Sequence, residues 1–164
     1  YVLTASIHEN VVSNWNWIEA LIASVPIAIL VMLIVWINQF QDAPSDAAVG
    51  KNTWVVRTAE KGEWMKLEKP LRLYKQFMIE AFVAVALVGA LSFFTDFGTV
   101  YAFMALIPLA LVWKAFKMAD EWMIKWNNPN ADRQKVPYEL LLVNVSTIGI
   151  HFLTGILLAV AYIL

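Results

Sequence analysis

Between Glu19 and Asp42 the chain runs for 22 residues without a formal charge, and no other feature constrains its fold as tightly. A helix needs about 20 apolar residues to cross roughly 30 Å of hydrocarbon, and a chain in lipid must pair its backbone groups internally. The spacing therefore predicts a first transmembrane helix over 17–38, with Trp15, Trp17 and Trp36 near its ends as an interfacial belt. Pro26 falls inside it and predicts a kink. Further runs over 77–94, 97–113 and 140–164 predict three more spans. The third is the shortest, at 17 uncharged residues with Pro108 inside it, whereas the last runs for 25 residues with only His151 titratable. Residues 95–98 leave so short a connection that the second and third spans should form an antiparallel hairpin. The expected fold class is an all-α integral membrane protein of four transmembrane helices, a single membrane domain over 1–164 with polar loops at 39–76 and 114–139.

Composition agrees with that reading, because 60% apolar content exceeds what a soluble core of 164 residues requires and only 15% of the residues are charged. Cysteine is absent, which excludes disulfides, thiolate metal sites and cysteine nucleophiles. Basic residues divide unevenly. Lys51, Arg57, Lys61, Lys66, Lys69, Arg72 and Lys75 fall between the first two spans, and Lys114, Lys117, Lys125, Arg133 and Lys135 lie at or between the ends of the last two. The positive-inside rule then puts both long loops in the cytoplasm, an orientation that four alternating spans satisfy. A bacterial or archaeal plasma membrane is the expected location. No nucleic-acid surface is indicated, and the five basic residues of the second loop are too dispersed to mark a strong site for anionic lipid.

The segment after the first span holds the chemistry. It carries Asn38, Asp42, Asp46, Gly50, Lys51 and Arg57. If helix continues here, carboxylates four residues apart share a face and can meet one hard divalent cation. Mg²⁺ suits such a pair, because it takes few protein carboxylates and completes its octahedron with water and phosphate. Gly50 offers a turn, after which Lys51 and Arg57 can add positive charge to a phosphate cluster. The plainer alternative is that Asp42 and Asp46 are solvated residues at a turn or short-helix cap around Pro44.

The string Asn38-x-x-x-Asp42-x-x-x-Asp46, then Gly50-Lys51, then Val56-Arg57 resembles the second aspartate-rich motif of the UbiA-type intramembrane prenyltransferase superfamily. In that family the motif follows the sixth of nine helices on the cytoplasmic side, and three spans follow it here too. The resemblance implies that this chain corresponds to the C-terminal part of a nine-helix bundle. It implies that Asp42 and Asp46 bind Mg²⁺, that Asn38, Lys51 and Arg57 bind diphosphate, and that Asp42, Asp46 and Lys51 are the catalytic set. The partners would be a polyprenyl diphosphate, an aromatic acceptor, membrane lipid and the N-terminal half of the same protein. The family's other motif, Asn-Asp-x-x-Asp, is absent, and with a chain opening at Tyr1 this is expected of a piece of a longer protein, inactive by itself. The Ile150 to Leu158 segment is similar to the menaquinone branch, which acts on 1,4-dihydroxy-2-naphthoate. Residues 58–69 depart from the family pattern after the arginine.

Other polar residues in the spans have structural readings. Glu19 and Glu80 are expected to reach an interface, while His151, Asn144, Ser146, Thr147 and Thr154 are expected to hydrogen-bond between helices, with acceptor binding a second reading for His151. The alternative function is a non-enzymatic membrane subunit or a transporter with a cation-binding loop. Transporter sites sit near the bilayer midplane, whereas both aspartates lie beyond the first span.

Overall fold

A computed structural model describes residues 16–59, 66–95, 97–132 and 135–164. Trp15, Lys61 and Arg133, Asp96 of the hairpin turn and residues 60–65 of the atypical segment lie outside these ranges. The secondary structure among the described residues is entirely helical. Helix α1 spans Asn16–Ala48, the short α2 Trp54–Thr58, α3 Glu68–Leu91, α4 Leu109–Trp126 and α5 Leu141–Ala161, with 3-10 segments at Val100–Leu106 and Val136–Leu140. Four helical stretches, Trp17–Ala48, Glu68–Leu91, Val100–Trp126 and Val136–Ala161, are long and apolar enough to cross a bilayer.

The helices outrun the apolar runs that predicted them. Residues 39–48, 68–76 and 114–126, expected as loop, are helical. Charge marks where a helix stops being apolar, but its backbone ladder continues as long as the residues favour helix, and Glu, Lys, Ala, Met and Leu all do. Helix α1 carries both Pro26 and Pro44 without interruption of the assigned helix. At Pro108 the third apolar stretch changes from 3-10 to α-helix, where the ring's missing N–H falls at the start of α4.

Helix α1 lies at the centre of the packing. Its Leu30, Leu33, Ile37 and Phe40 are buried with Tyr74 and Met78 of α3, Trp122 and Trp126 of α4 and Ile150 of α5. Phe40 meets Trp122 edge-on at 5.9 Å between ring centroids, and Trp36 meets Phe77 at the same distance. Each indole also finds a carbonyl, Trp36 Nε1 donating to Pro70 at 3.2 Å and Trp122 Nε1 to Val136 at 2.8 Å. The buried Tyr74 hydroxyl and Thr147 Oγ1 join α3 to α5 at 2.7 Å.

Those contacts gather the C-terminal ends of α1 and α4 with the N-terminal ends of α3 and α5. At the opposite end Glu19 accepts a 2.9 Å hydrogen bond from the Gly98 N–H, and Val85, Val88, Ala102, Ala105 and Leu158 form a second core. Successive long helices therefore alternate in direction, and the turn after α3 packs the 3-10 segment back on α3, as the short connection predicts. Gly98 has φ +82°, and a Cβ there would lie 2.3 Å from the Val88 carbonyl oxygen, so only glycine fits.

Candidate functional site

The site residues ride on the last turns of α1. Asn38 and Asp42 are exposed, one turn apart, while Asp46 is buried to 6% exposure. Helix α2 packs on the preceding turns of α1. Gln39 Oε1 accepts from the Val55 N–H at 3.2 Å, satisfying an amide in the first turn of α2, and Val55 is buried. Trp54 rests on Trp36 at 5.9 Å, so α2 is held beside α1.

The turn between them is a Schellman closure. Gly50, at φ +72°, donates its N–H to Ala47 at 3.1 Å, and the Lys51 N–H reaches the Asp46 carbonyl at 2.8 Å. That reversal carries the lysine side chain back along the helix, where Nζ sits 3.0 Å from Asp46 Oδ1. Asp46 Oδ2 is buried and has no hydrogen-bond partner among the described residues. An ionised oxygen without a donor is costly in such surroundings, and a divalent cation would satisfy it.

The five residues singled out in the sequence are not equally convergent. Asp46 and Lys51 form an ion pair, and Asp42 shares a helical edge with Asp46 one turn away. Asn38 is engaged from α5, its Oδ1 accepting from Asn144 Nδ2. Arg57 is exposed near the end of α2, with no side-chain partner among the described residues. No group of three or more His, Cys, Asp or Glu side chains converges to hold a metal among those residues. Asp42, exposed, and Asp46, buried, are the carboxylates on the last turns of α1 that could contribute oxygen to a cation.

Sequence reasoning missed Gln39 and gave Asn144 only a general interhelical role. A glutamine next to a wanted asparagine carries no distinguishing signal. Asn144 does carry one: an amide in an apolar helix needs a partner, but nothing local says which. His151 lies seven residues beyond Asn144 on the same side of α5, half-buried and without a side-chain partner among the described residues. Glu19 caps the distal turn, and Glu80 accepts from Gln76 at 2.8 Å, so both are used structurally.

No family model, curated protein or solved structure matches this chain. Among the described residues, fold and site define an all-helical protein with four helices of membrane-spanning length, one of which ends in two aspartates a turn apart and a turn that closes Lys51 onto the second.

Proposed function

We propose that this chain forms part of an integral membrane prenyltransferase that moves a prenyl group from a polyprenyl diphosphate to an aromatic acceptor. The observation that carries this reading is the helical end of α1. Asp42 and Asp46 stand on adjacent turns, Asp46 Oδ2 lacks a partner among the described residues, and Gly50 turns Lys51 onto Oδ1. The resemblance of the same residues to the UbiA-type motif supports the assignment, as does an outer surface too apolar for water, including Leu141, Val145, Ile148 and Phe152 of α5. The clustering of basic residues around the α1 terminus supports a cytoplasmic side for it, and in this reading the membrane is a bacterial or archaeal plasma membrane.

In this reading Asp42 and Asp46 hold Mg²⁺, which neutralises the charge that builds on the departing diphosphate. Lys51 exchanges its carboxylate partner for a phosphate oxygen, Asn38 donates an amide N–H, and Arg57 adds charge from α2. The prenyl tail lies among the apolar helices, because burying hydrocarbon there leaves the charged head at the rim. Breaking the allylic C–O bond releases diphosphate, and the electron-rich ring of the acceptor forms the new C–C bond and then loses its proton. An acceptor of the 1,4-dihydroxy-2-naphthoate class fits this chemistry. The scheme also needs a second carboxylate-bearing segment from polypeptide outside these residues.

Membranes containing the complete protein provide the test. Asp46→Asn keeps the side chain's shape but removes its charge, and Mg²⁺-dependent transfer should fall by at least about 100-fold, a loss of roughly 3 kcal/mol of transition-state stabilisation. Transfer that continues at the unsubstituted rate would remove the catalytic assignment.

A further inference from the structure

We propose that Asn144 is a positioning residue for the diphosphate: it fixes the Asn38 amide so that its donor end faces the anion beside Asp42. The inference rests on the prenyltransferase reading. Asn144 lies in the first turns of α5 and is 6% exposed. Its Nδ2 donates to Asn38 Oδ1 across the α1–α5 interface. A primary amide is planar, with its acceptor and donor at opposite corners, so occupying Oδ1 from α5 turns Nδ2 the other way. Asn38 is exposed, and its Nδ2 has no partner among the described residues. One turn further along the same edge is Asp42. An N–H donor next to carboxylates suits a ligand that combines an anion with a cation. Phosphate oxygen takes the N–H, and the metal takes the carboxylates. Were the Asn38 amide free to rotate, turning its donor end to the phosphate would cost rotamer freedom, which the contact with Asn144 removes beforehand.

A second observation sets Asn144 apart from ordinary interhelical packing. Its own Oδ1 is buried with no hydrogen-bond partner among the described residues. Leucine, with the same branching and number of side-chain heavy atoms though greater bulk, would occupy this position without that unsatisfied carbonyl. Among the described residues the donor half of Asn144 alone is used, and it is used on Asn38.

The proposal is tested on the complete protein in lipid nanodiscs, by calorimetric binding of inorganic pyrophosphate with Mg²⁺ and by steady-state kinetics. Asn144→Leu should weaken pyrophosphate binding about tenfold and raise KM for the prenyl diphosphate in proportion. KM for the acceptor and the melting temperature should stay nearly constant. In an Asn38→Ala background the same substitution should change pyrophosphate affinity less than twofold, since its effect passes through Asn38. Asn144→Asp, which keeps the shape but cannot donate, serves if the leucine variant does not accumulate, with a loss in the same direction. Unchanged affinity, or an equal loss with Asn38 already removed, overturns the positioning role. Sensitivity to Asp46→Asn alongside indifference to Asn144 sinks only this proposal. A complete protein that neither binds pyrophosphate nor transfers a prenyl group removes the underlying reading, and this role with it.

Discussion

Lys51 holds one oxygen of Asp46 at 3.0 Å, while the other has no hydrogen-bond partner among the described residues. A lysine so placed is both a substitute for a cation and an obstacle to one. Its side chain is 63% exposed, so solvent screens the pair and the attraction is worth no more than about 1 kcal/mol. That is weak enough for Mg²⁺ and diphosphate to displace it together, after which the ammonium gains a phosphate oxygen. The two ligands should consequently respond in opposite directions to Lys51→Met. Mg²⁺ alone should bind several-fold more tightly, because a competing positive charge has gone, while Mg²⁺-pyrophosphate should bind at least about tenfold more weakly. Titration calorimetry of both ligands decides the matter, and losses for both would mean that the lysine only shapes the turn. Asp42, Asp46 and Lys51 were legible in the sequence because their spacing is local. Asn144 was not, since its partner lies 106 residues away and only the packing of α5 on α1 brings them together.

At the level of elements, two glycine turns show how differently one backbone need can be enforced. Gly50 and Gly98 both have positive φ. A Cβ at Gly50 would meet nothing within 4 Å, so Gly50→Ala should cost only the left-handed backbone strain, about 1–2 kcal/mol. At Gly98 the same Cβ would lie 2.3 Å from the Val88 carbonyl oxygen, and Glu19 grips the N–H of that residue. The hairpin would have to open, so Gly98→Ala should cost clearly more, about 3 kcal/mol. Thermal unfolding in detergent should rank the wild type above Gly50→Ala and Gly50→Ala above Gly98→Ala, and the reverse order for the two variants would mean that the distal turn is not a fixed point. The need for turns at both places was readable from composition and run length. Helix limits were less so, because a residue such as Lys75 or Lys117 marks the edge of an apolar run yet still favours helix. Pro108 marks a bend when read from the sequence, but the change from 3-10 to α-helix there was not readable from it.

For the whole molecule, the question is which ends share a side. Asn38 with Asn144, Phe40 with Trp122, and Asn127 with Glu68 tie the α1 and α4 C-termini to the α3 and α5 N-termini, while Glu19 and Gly98 mark the far end. The outward faces between those ends carry residues such as Val31, Val35, Val83, Leu87 and Phe152, a surface suited to acyl chains. These 164 residues contain no cysteine, so single cysteines introduced here can report sidedness once any cysteine elsewhere in the complete protein has been replaced. Ser45 and Asn128 are exposed at the motif end, and Phe94, 86% exposed, lies toward the other. In intact cells expressing the complete protein, a membrane-impermeant maleimide should label Phe94→Cys from outside, and Ser45→Cys and Asn128→Cys only after permeabilisation. Labelling of Ser45→Cys and Asn128→Cys from opposite sides would break the four-span alternation. Labelling of both from outside would keep the alternation but turn the carboxylates away from the cytoplasm, where a diphosphate substrate is made, and the prenyltransferase reading would lose its supply of substrate.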